Sequence, residues 1–256
     1  MKIVLLNGSP RKGATYEYLR RLETAFRGAG YETDVMSLGD YRLTDCAGCY
    51  ACVTAGKEFC PAKDDAEILW DKIRSADGVV LSSPVYALGV TGTMKTFMDK
   101  IAYNAHRPTF GGKPAVILST TAGMGTEEVA RQLRWFEITG MRVVGSLGIQ
   151  LYPGRQFVAR EEVRVSRNLD VLARKLDAAI RNASGYKPSL VRVIQFYGLK
   201  ANCDFDDSAY KADRAYYAGR DFFPGARAGA VKNAIGRWIY GIALRMMAKK
   251  WEGAAR

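Results

Sequence analysis

Two stretches of this chain hold residue types that could do chemistry. The first is Gly8-Ser9-Pro10-Arg11-Lys12-Gly13-Ala14-Thr15. Glycine-bearing backbone leaves N–H groups approachable, Ser9 and Thr15 add hydroxyl donors, and Arg11 and Lys12 add charge. Set at a helix N-terminus, these are the parts of a phosphate receptor. The spacing Gly8-x4-Gly13 matches a P-loop, but Ala14 stands where the nucleotide-clamping lysine belongs, which argues against NTP hydrolysis. Gly8, Pro10 and Gly13 do not form the G-x-G-x-x-G of a dinucleotide site. A monophosphate such as that of FMN suits the loop better, because one dianion needs donors and no magnesium.

The second stretch is Cys46-Ala47-Gly48-Cys49-Tyr50-Ala51-Cys52, followed by Cys60-Pro61 after seven intervening residues. Closely spaced thiolates can converge on an iron–sulfur cluster, which takes four of them, and Gly48 and Gly56 would let backbone fold around it. We take Cys46, Cys49, Cys52 and Cys60 as candidate ligands of a [4Fe–4S] cluster; uncommitted or redox-active thiols and a zinc site are the alternatives. Cys203, far away in sequence, reads as a small buried thiol. Asp64-Asp65 reads as the cap of a following helix, Asp being a favoured N-cap residue. His106, the only histidine, reads as a structural loop residue.

These residues need elements to position them. Ile3-Val4-Leu5-Leu6 reads as a buried strand, and Tyr18, Leu19, Leu22, Ala25 and Phe26 share the face of a following helix. Further strands are expected at 32–36, 78–82, 115–119 and within 143–151, with helices near 65–75, 92–103, 126–138 and 160–182. Such alternation means a parallel sheet covered on both faces. We expect an α/β, flavodoxin-like, doubly wound five-stranded parallel sheet in the order 2-1-3-4-5. Ligands then sit at the carboxyl ends of strands beside the switch point. Two more loops at that edge suit a planar ring: Ser83-Pro84-Val85-Tyr86-Ala87-Leu88-Gly89 and Thr120-Thr121-Ala122-Gly123-Met124-Gly125.

Composition narrows the class. With 256 residues, 48% of them hydrophobic, the chain can bury a large core. The short apolar run after Lys2 is not expected to be a signal peptide, and no apolar run reaches membrane-span length. Five cysteines in such a chain suggest a reducing, cytoplasmic setting. The net charge of +12 is uneven: residues 1–185 carry 25 basic and 20 acidic side chains (+5), and residues 186–256 carry 13 and 6 (+7). No recognised nucleic-acid module accompanies the basic tail, so nucleic acid is not an expected partner.

Gly8-Ser9-Pro10-Arg11-Lys12-Gly13, Ser83-Pro84-Val85-Tyr86 and Gly92-x-Met94-Lys95-x-Phe97-x-Asp99 together resemble the NAD(P)H-dependent FMN reductase family of flavodoxin-like proteins, over roughly residues 1–150. The cysteine pattern is similar to that of its iron–sulfur flavoprotein branch. The resemblance implies FMN as cofactor, with Ser9, Arg11 and Thr15 holding the phosphate and Gly13 and Ala14 in the same loop. Pro84, Val85, Tyr86 and Gly89 would flank the isoalloxazine, with Thr121, Ala122 and Gly123 on its other side. It further implies electron flow from NAD(P)H through flavin to a small acceptor such as a quinone or free flavin. An electron-transfer module serving a redox protein partner is the alternative. Met94, Lys95 and Phe97 read as the start of a packed helix.

We divide the chain into a flavin-binding domain, 1–185, and a basic, aromatic-rich helical extension, 186–256. In the extension a helix is expected over 189–200, then an aromatic segment from Tyr210 to Phe223. A last helix near 231–251 should carry Ile235, Trp238, Ile239, Ile242 and Met246 on one face, with Lys232, Arg237, Arg245, Lys249 and Lys250 available to solvent. We expect the apolar face to pack inward or against a second subunit of a homodimer; attachment to an anionic membrane surface is the competing account.

Overall fold

The computed structural model describes residues 1–151, 159–205 and 210–254, excepting the side chains of 159 and 250–254. Five strands form one parallel sheet: β1 (Lys2–Asn7), β2 (Glu32–Ser37), β3 (Gly78–Pro84), β4 (Lys113–Thr121) and β5 (Met141–Gln150), in the order β2-β1-β3-β4-β5. Nine helices accompany them among the described residues: α1 (Ala14–Gly28), α2 (Ala51–Thr54), α3 (Ala66–Ser75), α4 (Gly92–Lys100), α5 (Thr126–Leu133), α6 (Ala159–Arg181), α7 (Leu190–Phe205), α8 (Lys211–Tyr217) and α9 (Ala230–Ala254). None of the described helices is long and apolar enough to cross a membrane.

Residues group into two compact units. The first holds 1–46, 64–102 and 113–184; the second holds 47–63, 103–112 and 185–256. In the first, β1 pairs β3 from Ile3 with Gly78 to Asn7 with Ser82, and β3 runs on two residues further, to Pro84. The near-continuous apolar sequence of β1, β3 and β4 follows from burial on both faces. α1 and α6 supply Leu19, Leu22, Phe26, Leu169 and Leu176 to one core cluster. In another layer Trp70 of α3 and Phe97 of α4 each meet Phe136, with ring centroids 6.4 Å apart in both pairs. α5 stops at Leu133 and tightens into a 3-10 turn at Arg134–Glu137. That is shorter than the helix the apolar spacing predicts, and Gly140 at φ +102° turns the chain into β5.

The second unit has its own core: Val193, Phe196 and Tyr197 of α7 meet Tyr217, Phe222 and Phe223. α7 runs to Phe205, past its expected end. Cys203 is buried there, its thiol donating to the Leu199 carbonyl, and burial raises its pKa to about 12. The orientation of α9 corrects the expected inward face. Asn233 accepts from the Tyr197 hydroxyl, Gly236 lies where a Cβ would meet the Tyr197 ring at 2.2 Å, and Tyr240 packs on the same cluster. Because those residues face α7, Trp238 and Met246 are turned outward, 68% and 67% exposed. Lys250 of the expected basic face lies outside the described side chains.

Candidate functional site

The site starts at the end of β1. The Gly8 N–H donates to the Ser82 carbonyl at 2.8 Å, and the Thr91 hydroxyl donates to the Gly8 carbonyl. A Cβ on Gly8 would lie 2.5 Å from that Ser82 oxygen and 2.7 Å from Met94 Cε, so only glycine permits the approach. Thr91 also caps α4, its hydroxyl accepting from the Met94 N–H. The Gly92 to Asp99 motif therefore does mechanical work: Met94 and Phe97 are buried, and Lys95 pairs with Asp99 on the surface.

Beyond Gly8 the loop is preset to donate. The Asn7 amide donates to Ser37, and its oxygen accepts from the Ser9 N–H at 3.2 Å. Ser9 is buried and its oxygen accepts from the Arg11 N–H, which leaves its hydroxyl proton for a ligand. The Thr15 and Thr120 hydroxyls, both buried, lie 2.7 Å apart. One hydroxyl must donate to the other, so the pair retains one proton to give. α1 has no side-chain cap at Gly13, which leaves the open N–H groups of its first turn and the positive end of its dipole available to an anion. Arg11 is exposed. Lys12 instead forms a surface ion pair with Asp40 at 3.0 Å, whose hydrogen bond raises the lysine pKa; of the two cations, Arg11 is the uncommitted one.

The other two loops close on the same point. The Val85 N–H donates to the Thr120 carbonyl at 2.8 Å, joining the segments after β3 and β4. Tyr86 and Gly89 exchange both backbone hydrogen bonds at 2.9 Å, with Ala87 at φ +47° and Leu88 at φ +60° between them. Two positive φ values make this a tight hairpin of the kind that favours glycine and asparagine. Here non-glycine residues hold it, at a cost of about 1–3 kcal/mol each, and the result pushes Tyr86 and Leu88 outward, 46% and 53% exposed. Gly125, at φ +102°, lets the β4–α5 loop pack beneath; a Cβ there would meet Val85 at 2.7 Å.

A cavity of about 300 Å³ opens between these loops, lined by Ser9, Arg11, Gly13, Ala14, Thr15, Pro84, Val85, Tyr86, Thr120, Thr121, Ala122 and Leu151. The expected positions Ser9, Arg11, Gly13, Ala14, Thr15, Pro84, Val85, Tyr86, Thr121 and Ala122 are thus brought together. Two are not on the lining. Gly89 lies beside the Gln132 side chain, whose oxygen accepts from the Val90 N–H, and Gly123 donates its N–H to the Thr121 hydroxyl. Thr120, expected only as part of its loop, and Leu151, not expected at all, also line it. Thr120 was legible as a hydroxyl next to Thr121 at a strand end; Leu151, one residue past β5, carried no signal.

The lining fits FMN. Uncapped N–H groups, two sources of hydroxyl protons and Arg11 suit its phosphate, and the compact side chains of Pro84, Val85, Thr121 and Ala122 on the lining suit the approach of a ring.

The cysteine stretch is pinned at its base and within. Thr44 donates both its N–H and its hydroxyl to Asp64 at 2.9 and 2.7 Å, and Arg42 and Asp65 exchange hydrogen bonds. Asp64 rather than Asp65 takes the first free N–H of α3, from Ala66, and pairs with Lys100 at 3.2 Å, both side chains nearly inaccessible. Burial alone would raise the Asp64 pKa; the Thr44, Ala66 and Lys100 bonds outweigh it and hold the carboxyl below its usual range. In the second unit, Arg107 donates to the carbonyls of Val53 and Cys52 at 3.2 and 2.5 Å and to Asp213. Asp213, 1% exposed, also faces His106 Nδ1 at 2.9 Å. Local pattern carries no hint of this clamp, because its partners lie 54, 55 and 106 residues from Arg107.

Cys46 and Cys49 are exposed, Cys52 and Cys60 half-buried, and none forms a disulfide. The donor set fits an iron–sulfur cluster in kind and number. It does not fit in placement: among the described residues no three His, Cys, Asp or Glu side chains converge on one point.

A doubly wound parallel sheet with a cavity at its switch point, lined by residues that suit FMN, is a flavodoxin-like architecture. The chain belongs to the NADPH-dependent FMN reductase family, whose model matches residues 1–151. It is 31% identical over 219 residues to an iron–sulfur flavoprotein of Archaeoglobus fulgidus, covering 80% of this chain and 96% of that one. That likeness therefore runs past residue 151. An iron–sulfur flavoprotein of Methanocaldococcus jannaschii is 37% identical over 152 residues, 57% of this chain and 76% of the relative. Among solved structures, RosB with a bound 8-demethyl-8-formylriboflavin-5'-phosphate superposes with a TM-score of 0.57 at 18% identity, covering 71% of this chain and 79% of RosB, a likeness of fold.

Proposed function

We propose that this protein is an FMN-dependent oxidoreductase that takes reducing equivalents from NAD(P)H and passes them to a small planar acceptor, such as a quinone or free flavin. The observation that carries the reading is the cavity that the loops after β1, β3 and β4 line together, bringing Ser9, Arg11 and Thr15 into one space with Pro84, Val85, Thr121 and Ala122. Bound FMN would supply the hydride-accepting and electron-donating chemistry. Ser9, the Thr15–Thr120 pair, the first turn of α1 and Arg11 bind the phosphate and set the depth of the cofactor. Pro84, Val85, Thr121 and Ala122 orient the ring and keep water from its covered side. Tyr86, Leu88 and Met124, all exposed, form an apolar rim suited to a second flat molecule. Five cysteines without a disulfide suit a cytoplasmic setting.

A second reading rests on the cysteine stretch and on the relatives named iron–sulfur flavoprotein. Cys46, Cys49, Cys52 and Cys60 would bind a [4Fe–4S] cluster once rearranged, and the protein would serve a redox protein as an electron-transfer module.

Anaerobic mixing of the FMN-loaded protein with NADH and NADPH decides between them. Bleaching of the flavin absorbance at catalytic rates by either nucleotide supports the reductase. No bleaching by either, with full reduction by a redox protein, supports the module. Iron and acid-labile sulfide analysis after anaerobic purification tests the cluster, and failure to take up FMN sinks both readings.

A further inference from the structure

Helix α9 presents an apolar stripe to solvent. Val231, Ile235, Trp238 and Met246 are 76%, 37%, 68% and 67% exposed, while Asn233, Gly236 and Tyr240 on the opposite side hold α7. A buried tryptophan is the norm, so an outward Trp238 with apolar neighbours along one stripe marks a contact surface.

The charges around the stripe say what it contacts. Arg237, Arg245 and Lys249 are exposed on the same helix, and among the described residues none has a carboxylate within ion-pair distance. The sequence from Ala230 to Trp251 contains no Asp or Glu at all. A second copy docking through this stripe by two-fold symmetry would bring these cations against their own kind, with Glu252 near its end the one acid in the helix sequence to answer them. An anionic lipid surface answers both features. Its headgroups attract the arginines and lysine, and its interface receives a tryptophan and aliphatic side chains lying flat. The helix is too polar to span, so it would lie in the interface plane.

We propose that α9 is an interfacial anchor that docks this protein reversibly on membranes rich in anionic phospholipid. The stripe is independent of the flavin cavity, so the proposal stands or falls apart from the catalytic reading.

The test is flotation of the full-length, FMN-loaded protein with vesicles of phosphatidylcholine alone or mixed with phosphatidylglycerol. Binding is expected on the mixed vesicles only, and it should weaken at high salt. Trp238→Ser and the double variant Arg237→Glu with Arg245→Glu should each lower partitioning at least roughly tenfold. These positions are exposed, so both variants should keep wild-type flavin absorbance and thermal midpoint. Absence of binding to the mixed vesicles overturns the proposal, as does binding that neither variant changes. A wild-type dimer in light scattering that Trp238→Ser turns into monomer would also overturn it, since the stripe would then belong to a second copy.

Discussion

Arg11 and Lys12 are adjacent cations on a phosphate-binding loop, yet the structure predicts opposite outcomes for their removal. Lys12 is held 3.0 Å from Asp40, and both side chains are more than half exposed, so its charge is largely answered and screened. Arg11 has no such partner among the described residues and lines the cavity. A hydrogen bond to a charged group contributes about 1.5–3 kcal/mol. Because Arg11 is exposed, the lower end of that range applies, and about 1.4 kcal/mol is tenfold in Kd. Arg11→Ala should therefore weaken FMN binding roughly tenfold, and Lys12→Ala no more than about twofold. Titrating apo-protein with FMN and following quenching of flavin fluorescence measures both. Riboflavin, which lacks the phosphate, is the internal control and should bind wild type and Arg11→Ala alike. Equal FMN losses in the two variants, or an equal loss for riboflavin, would refute the reasoning, because Arg11 would then act through the loop's fold instead of the phosphate.

Gly8→Ala puts a methyl 2.5 Å from a backbone oxygen that cannot move freely; overpacking of this kind costs about 1–3 kcal/mol, so urea unfolding should shift and FMN retention should fall together. Asp213→Asn leaves the Arg107 guanidinium, 11% exposed, without its anion. Breaking such a buried pair costs about 3–5 kcal/mol, and alkylation of Cys52 followed by mass spectrometry should speed up as the clamp on its carbonyl loosens; an unchanged rate would show that the clamp does not hold α2. Burial lowers the Lys113 pKa from 10.5 to about 8, with Asp77 partly opposing. Below pH 8 both folded and unfolded chains carry the proton, and between about 8 and 10.5 the unfolded chain holds more, so this group's contribution to stability rises with pH across that window. The wild-type minus Lys113→Met difference in urea midpoint should climb between those limits, and a flat difference would count against the buried cation.

What could be read from sequence was what local pattern and chain order decide. The apolar runs of β1, β3 and β4 have no alternative to double-sided burial, so the sheet and its switch point followed, and with them three loops at one edge. The contents of the cavity were legible because strand ends and loop residues are consecutive in sequence. What escaped depends on partners distant in sequence. Of the Asp64-Asp65 pair expected to cap α3, Asp64 takes the Ala66 N–H while its carboxylate also holds Lys100 and Thr44, partners that local pattern does not show. Lys12 lost its expected place beside the phosphate to Asp40. Helix α9 is the sharpest case: Ile235, Trp238 and Met246 share an apolar face, so periodicity assigns that face to the core or to a second subunit, yet in this chain they are exposed. The inner face is instead chosen by shape, because Gly236 admits the Tyr197 ring and Asn233 meets its hydroxyl. A helix that spends a glycine and an asparagine on its packed side and a tryptophan on its open side has its apolar surplus directed away from its own core. That surplus, with unopposed cations beside it, is the physical reason to look for the second function of this chain outside the flavin cavity.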